Sequence, residues 1–383
     1  LVDVVMTEAA RRFVAPLTFE ALSGRPVYTT MWEPSDRGLP THIAHVGLAH
    51  AADLLVIAPA TANTMAKLAQ GLADNLLSTL ALAAPCPLLL APAMDVGMWA
   101  HPATQANVDT LKRRGAHLAG PAQGRMASGL EGEGRFLEPD QILGHIRLVL
   151  GRKGPLSGQR IVVSAGPTRE PLDPVRFLSN PSSGLQGFAL AQAALDRGAD
   201  VILVTGPTEL LTPVGARRVD VTTADQMREA VLQASASADA LLMAAAVADY
   251  RPEQVLQEKI KKGDEGMTVQ LRRTDDILSV VAERRLATGH PQVVVGFAAE
   301  TERLVENARL KLESKSLDLI VANDVTAAGA GFGVPTNRVV LLHRGGEVEE
   351  LPMMRKEAVA ENVLRRVVDL LRDSQAVSSA ASP

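Results

Sequence analysis

Arg160-Ile-Val-Val-Ser-Ala-Gly-Pro-Thr-Arg-Glu-Pro-Leu-Asp-Pro-Val-Arg-Phe-Leu-Ser-Asn-Pro-Ser-Ser-Gly184, continuing into Leu185-Gln-Gly-Phe-Ala189, is the stretch on which the fold turns. A short, continuously apolar run leaves a buried strand, a long Pro/Gly loop follows, and a helix begins. Continuous rather than alternating apolarity means a strand covered on both faces. Related runs recur at Asp53–Ala58, Pro87–Ala91, Val201–Thr205, Ala240–Ala245, Val293–Phe297 and Leu317–Ala322. Between them lie helical stretches at Ala62–Gln70, Pro102–Arg114, Gly184–Arg197, Ala224–Ala234 and Arg303–Glu313. This βαβα order gives parallel sheets, so both halves are expected to be doubly wound α/β domains.

A chain of 383 residues exceeds what one core usually organises. The charged, Gly/Pro-rich stretch 151–158 is where a linker belongs, which divides the chain into 1–150, 159–372 and a small, polar, fraying tail at 373–383. Apolar residues at 46% and charged residues at 21% exclude disorder over most of the length, and the formal charge of −4 gives no basic half for nucleic acid. The single Cys86 excludes a disulfide framework and a cysteine-rich metal site, which suits a reducing, cytoplasmic compartment. The longest apolar run, Leu80–Met94, is too short to span a bilayer and carries three prolines, so no membrane partner is expected. Leu1-Val-Asp-Val-Val-Met6 reads as a strand without a signal-peptide layout, and an earlier segment is expected to be absent.

In open α/β sheets the carboxyl ends of strands hold the ligand. Ser182, Ser183 and Gly184, at a helix N-terminus, offer hydroxyls and backbone N–H groups to a phosphate, although plain N-capping by either serine explains them equally well. The stretch is neither a Walker A loop nor G-x-G-x-x-G. Two later strand ends carry Met243-Ala-Ala-Ala-Val-Ala-Asp-Tyr250 and Gly296-Phe-Ala-Ala-Glu-Thr301, small residues that let a ring approach, with one acid at Asp249. Between them, Arg251–Arg273 breaks the α/β rhythm: Lys259, Lys261, Lys262, Arg272 and Arg273 surround a turn at Gly263–Gly266 and an alternating strand at Met267–Leu271. A solvated β-arm is the plain reading, and an anion-facing arm the functional one. Lys311 and Lys315, four apart on one helix face, add cations.

These strings, with Lys259-Ile-Lys-Lys262 and Ala322-Asn-Asp324, resemble phosphopantothenate–cysteine ligase, and the first half resembles its usual fusion partner, the flavoprotein phosphopantothenoylcysteine decarboxylase. The similarity reaches to about Leu371. It implies a flavodoxin-like domain followed by a Rossmann-like ligase domain, with CTP, Mg2+ and FMN. The pantothenate carboxylate would attack the α-phosphate to give an acyl-cytidylate and pyrophosphate, and the cysteine amine would then displace CMP. By matching positions, Asn180 would hold the acyl-cytidylate and Lys259 would assist the first step. Asp249, Phe297, Lys311 and Lys315 would line the nucleotide, with Met243, Ala244 and Ala245 contacting the base through backbone. Thr274-Asp275-Asp276-Ile277 stands where the family has Asn-Pro-Asp-Ile. Homo-oligomers are implied, as ligase dimers and flavoprotein trimers.

In the first half, Ala58-Pro59-Ala60-Thr61-Ala62-Asn63-Thr64 and Ala91-Pro92-Ala93-Met94-Asp95 sit at successive strand ends. Capping and packing account for them; the resemblance assigns Pro59, Ala60, Thr61, Asn63 and Met94 to FMN, with Thr7 and Phe13. His45 occupies the position of the family's proton-removing histidine, while His42 and His50 read as solvated. Two catalytic positions depart. The family's Pro-x-Met-Asn is Pro92-Ala-Met-Asp95, and its Ala-Cys-Gly is Ala127-Ser-Gly129. A carboxylate where an amide holds the substrate carboxylate must be protonated, turned aside or poor at that task. A serine is a far weaker acid than a thiol. The resulting expectation is a bifunctional ligase and decarboxylase with Asp95 and Ser128 in a co-adapted site. Its rivals are a ligase with a scaffolding flavin half and a non-catalytic flavin-binding module.

Overall fold

The computed structural model describes all residues except 33–43, 262–266, 301, 325, 328, 332 and 381–383. The chain divides into two units, Leu1–Leu150 and Gly151–Pro383.

In the first unit, β1 (Val4–Val5) precedes α1 (Pro16–Ser23) and pairs in parallel with β2 (Val27–Tyr28). After α2 (Ala44–Ala51) come β3 (Leu55–Ala60), α3 (Ala62–Gln70), α4 (Leu76–Ala83), β4 (Leu88–Pro92), α5 (Val96–Ala100), α6 (Pro102–Arg113) and β5 (His117–Leu118). β3, β4 and β5 form a parallel sheet in that order. Successive residues of β4 serve opposite faces: Leu90 packs with Met65, Leu68, Val108 and Leu111, whereas Leu89 and Ala91 pack with Leu137, Ile142 and Val149. That alternation lets a continuously apolar strand satisfy two helical layers. An antiparallel hairpin, β6 (Ala122–Arg125) and β7 (Glu131–Arg135), leads to α7 (Pro139–Gly151).

The second unit begins without a free tether. Leu156 is buried and its N–H donates to Arg197 O at 2.9 Å. β8 (Arg160–Ala165) enters the sheet, followed by a small antiparallel pair, β9 (Arg169–Pro171) with β10 (Phe177–Ser179). The order continues α8 (Leu185–Leu195), β11 (Asp200–Thr205), β12 (Arg217–Asp220), α9 (Ala224–Ser235), β13 (Ala240–Met243), β14 (Tyr250–Pro252), β15 (Leu271–Arg273), α10 (Ile277–Thr288), β16 (Val293–Glu300), α11 (Leu304–Ser314), β17 (Leu319–Asp324), β18 (Thr336–His343), β19 (Val348–Arg355) and α12 (Lys356–Ala380). The main sheet runs β12-β11-β8-β13-β16-β17-β18-β19. Its first six strands are parallel; β18 and β19 are antiparallel additions, which departs from the wholly parallel sheet expected. One face carries α9, α10 and α11 through Met227, Val231, Val281, Ala308 and Leu312.

The arm also differs from expectation. β14 pairs with β15, but residues 267–270 form no strand, because Met267 and Leu271 stay about half exposed and their alternating apolar set has no face to cover. The turn expected at Gly263–Gly266, together with Lys262, Thr301 and His42, lies outside the described residues. α12 continues to Ala380, beyond the fraying expected from Asp373, since neither Gly nor Pro interrupts residues 373–380. No helix among the described residues is long and apolar enough to cross a membrane.

α8 approaches β8 so closely that a Cβ on Gly187 would lie 2.5 Å from Ala165 Cβ and 2.9 Å from Ser164 O. Gly187→Ala is therefore expected to destabilise the second unit by roughly 1–3 kcal/mol through overpacking, read as a lower denaturant midpoint with an unchanged slope.

Candidate active sites

The carboxyl edge of the second unit's sheet is organised by side chains buried in the 164–184 loop. Ser164 is fully buried; its hydroxyl donates to Met243 Sδ at 3.2 Å and accepts from Ala245 N at 3.0 Å, which fixes the end of β13. Thr168, equally buried, accepts from Ala248 N at 3.0 Å, and its own N–H donates to Ala246 O at 3.2 Å. Asn180 Nδ2 donates to Ala246 O and Val247 O, both at 3.2 Å. Two carbonyl partners define which end of that amide is the NH2 group, and they leave its oxygen for another donor. Asn180 and the Met243–Ala245 backbone are thus brought together.

Gly184, not Ser182 or Ser183, is the N-cap of α8, with φ 80° and no side-chain cap. A side chain there would press on Gly166, since a Cβ would lie 3.4 Å from its Cα. Ser182 Oγ accepts from Gly184 N at 3.4 Å, and Ser183 O accepts from Thr208 Oγ1 at 3.3 Å, so the serines shape the entry to the helix rather than cap it.

The other strand ends supply charges already paired within the protein. Lys311 Nζ meets Glu300 at 2.6 Å, and Lys315 Nζ meets Asp276 at 2.9 Å. Asp276 also caps α10 by accepting from Leu278 N and Ser279 N. Burial opposes its charge, but Lys315 and those two N–H groups prevail and hold its carboxyl below the usual range. Thr274 Oγ1 donates to Ala248 O at 2.6 Å, Asp275 pairs with Arg228 at 2.5 Å, and Ile277 is buried. Phe297 is half-buried on β16, while Asp249 and Lys259 are exposed. Asn323 Oδ1, at the end of β17, is buried with no partner among the described residues.

In the first unit, Thr61 caps α3 by accepting from Thr64 N at 3.2 Å; Asn63 and Pro59 are exposed and Ala60 is buried. Ala93 N donates to Ala60 O at 3.2 Å, and Met94 N donates to Gly134 O at 3.0 Å, which ties both strand ends to the hairpin. Gly134 lies so close that a Cβ there would sit 2.4 Å from Met94 O. Thr7 Oγ1 accepts from Ala10 N at 3.1 Å, and Phe13 is 88% exposed. His45 Nδ1 is buried with no partner among the described residues, whereas His50 is exposed. Asp95 caps α5 through Gly97 N at 3.1 Å, and Ser128 Oγ donates to Asp95 Oδ2 at 2.6 Å. Ser128 and then Gly97 hold the Asp95 carboxyl below its ordinary value, so it is an anion at neutral pH. Cys86 lies at the amino end of β4, away from these strand ends, with its thiol pushed up by burial.

Two family models match: a flavoprotein family over residues 1–151, and the DNA/pantothenate metabolism flavoprotein C-terminal domain over residues 156–371. A "Coenzyme A biosynthesis bifunctional protein CoaBC" from Bacillus subtilis (strain 168) is 46% identical over 376 residues, covering 97% of this chain and 91% of the relative. The chain belongs to this bifunctional family. A protein of the same description from Vibrio cholerae is 44% identical over 96% of this chain and 90% of its own. A third relative, a "Cysteine/Cysteine sulfinic acid decarboxylase" of unknown prokaryotic origin, is 42% identical over 94% of this chain and 99% of its own.

Family-style reading of motifs does not bring forward Glu170 and Asp173, which are 2% and 3% exposed. Glu170 Oε1 accepts from Ala224 N at 2.8 Å and so anchors the start of α9. Asp173 Oδ1 accepts from Val175 N and Arg176 N, and its Oδ2 from Ile260 N at 3.0 Å, with Arg176 Nη1 at 3.6 Å. Their only sequence signal is a charged residue set among prolines.

Burial opposes charge on Asp173, yet these donors outweigh it and hold its carboxyl below the usual range. A depressed folded value means that its stabilisation is complete above about pH 4, the unfolded value, and is lost as pH falls through the lower folded one. Asp173→Asn is expected to flatten this part of the acid limb, seen as a smaller loss of denaturant midpoint between pH 4 and pH 2 than in the unmodified chain.

Proposed function

We propose that the chain carries its family's two reactions at these two strand edges, and that the second-unit edge joins phosphopantothenate to cysteine at the expense of CTP. The observation that carries this reading is the convergence of Asn180, the Met243–Ala245 backbone and the N-terminus of α8 on one loop, held by buried hydroxyls. The pantothenate carboxylate oxygen bonds to the α-phosphorus while pyrophosphate leaves, and the cysteine nitrogen then bonds to the acyl carbon while CMP leaves. Asn180 Oδ1, free of the amide's two carbonyl contacts, faces the second step as an acceptor for the incoming amine. Lys259, Lys311 and Lys315 offset charge on the phosphates. Asp249 and Phe297 border the nucleotide, Thr274–Ile277 shape its far wall, and Ser182, Ser183 and Gly184 present donors to a phosphate. Mg2+ would come with the polyphosphate, whose oxygens supply its ligands beside retained waters.

The first-unit edge fits FMN: Thr61 and Asn63 follow β3 at the start of α3, Met94 follows β4 against the Gly134 backbone of β7, Thr7 and the exposed Phe13 follow β1, and His45 opens α2 with Nδ1 unpartnered among the described residues. Bound flavin would supply the two-electron oxidation that makes the substrate carboxylate a leaving group. His45, whose Nδ1 is unpartnered among the described residues, would take a proton. Asp95 and Ser128 act as a pair. Because the hydroxyl proton points at Asp95, Ser128 presents lone pairs outward, and neither residue reproduces the amide donor or thiol acid of the family pattern. A dimeric ligase half, a trimeric flavin half and a reducing cytoplasmic setting complete this reading.

Lys259→Gln is expected to slow pyrophosphate release by about 2–4 kcal/mol of activation free energy, the worth of one charge-assisted contact in a transition state. Release at an unchanged rate would return the arm to a solvated surface. In the flavin half, Asp95→Asn and Ser128→Cys should each lower CO2 release from phosphopantothenoylcysteine about tenfold, since each breaks one charge-assisted bond. The double substitution should exceed either single one because both act on one bound intermediate. Single changes that raise the rate would make Asp95 a liability, and no CO2 from any of these FMN-loaded proteins would leave the flavin half a scaffold.

A further inference from the structure

Between β14 and β15 the described residues of the basic arm form no strand that would fix Lys259, yet its backbone is held at two points. Leu256 N donates to Leu172 O at 3.0 Å, and Ile260 N donates to Asp173 Oδ2 at 3.0 Å. Both acceptors belong to one dipeptide of the 164–184 loop. Asp173 is 3% exposed although it lies in a loop, and its two oxygens have separate duties. Oδ1 closes the local turn through Val175 N at 2.7 Å and Arg176 N at 2.8 Å, while Oδ2 reaches across the chain to the residue after Lys259. Lys259 itself is exposed, and among the described residues no hydrogen bond or ion pair of its side chain sets where its ammonium group stands.

We propose that Asp173 is a positioning residue for the ligase reaction: through Oδ2 it latches the arm at Ile260 and thereby presents Lys259 to the reacting phosphate. This rests on the reading of Lys259 given above and adds the group that makes it effective. A flexible lysine contributes to a transition state only in so far as its position is set before the reaction. One buried carboxylate that both shapes the ligand loop and grips the arm couples their geometries.

Asp173→Asn separates the two duties. An asparagine keeps one oxygen, and the turn, which offers two N–H donors, retains it; the NH2 group then faces Ile260 N–H, donor against donor, and the latch opens. In the full-length protein, two readouts apply: pyrophosphate release from CTP and phosphopantothenate, and tryptic cleavage after Lys259 and Lys261 followed by mass spectrometry. The expected result is cleavage at those two bonds accelerated about tenfold with other sites unchanged, a kcat for pyrophosphate release lowered about tenfold, and a KM for CTP within about twofold. Asp173→Asn combined with Lys259→Gln should be no slower than Lys259→Gln alone. Wild-type cleavage and kinetics in Asp173→Asn would overturn the latch, as would additive losses in the double variant or cleavage accelerated throughout the unit. Should Asp173→Asn prove unstable, Ile260→Pro, which removes the donor and fixes φ at that position, carries the same kinetic expectations, with accelerated cleavage read after Lys261 alone because trypsin does not cleave the Lys259–Pro bond. If Lys259→Gln alone leaves pyrophosphate release unchanged, the reading of Lys259 fails and the proposal with it; that result is told apart from failure of the latch because arm cleavage in Asp173→Asn would still rise.

Discussion

A loop of some twenty residues at the edge of a parallel sheet, with only the short β9–β10 ladder of its own, must dispose of its remaining backbone donors and acceptors, and the carboxyl edge of the second unit's sheet hangs on how this is done. The solution is a set of buried polar side chains. Ser164, Thr168, Glu170 and Asp173 are at most 3% exposed, and they accept from backbone N–H groups of three other segments: Ala245 and Ala248 after β13, Ala224 and Ile260. One loop therefore sets the end of β13, the start of α9 and the root of the arm together. Leaving any of those donors unpaired would cost about 1–3 kcal/mol in a buried setting, so the loop has little freedom to relax on its own.

This explains what could and could not be read from the sequence. α3 falls at Ala62–Gln70 as its pattern and Thr61 cap require, and β8, β11 and β16 begin within a residue of the apolar runs, because burial on both faces leaves a local record. β18 and β19 also left a signal, two apolar-rich runs separated by Arg344-Gly345-Gly346-Glu347, that a search for parallel units passes over. Glu170 and Asp173 left almost none. A carboxylate between prolines looks solvated unless the segment that donates to it is known, and Ala224 and Ile260 lie 54 and 87 residues away.

The first unit gives the same lesson at a smaller scale. Read singly, Asp95 is a like charge where a substrate carboxylate is expected, and Ser128 is an acid too weak for its position. Joined at 2.6 Å they are something else. The hydroxyl and Gly97 N–H lower the Asp95 carboxyl, which removes protonation as the remedy for the like charge and fixes the group as an anion aimed into its own helix cap. Two departures that look independent in the sequence are thus joined by one hydrogen bond.

The paired lysines of α11 pose a different question, since a cation already matched to a carboxylate has less to offer a phosphate. Lys311 lies in the last turn of α11 and Lys315 is its C-cap, just past the helix, and Glu300 and Asp276 pair with them from two different elements. Both lysine side chains and the Asp276 carboxylate keep substantial contact with solvent, so neither pair is a strongly stabilising bridge. What decides the matter is the state of each carboxylate once its lysine turns away. Asp276 would still accept from Leu278 N and Ser279 N, and Glu300, the more buried of the two, would still accept from Asn307 Nδ2 at 3.2 Å. Neither would be left buried and unpartnered, the circumstance that makes breaking an ion pair expensive. The carboxylates thus hold the ammonium groups near the strand ends, and either pair can open without stranding a buried charge.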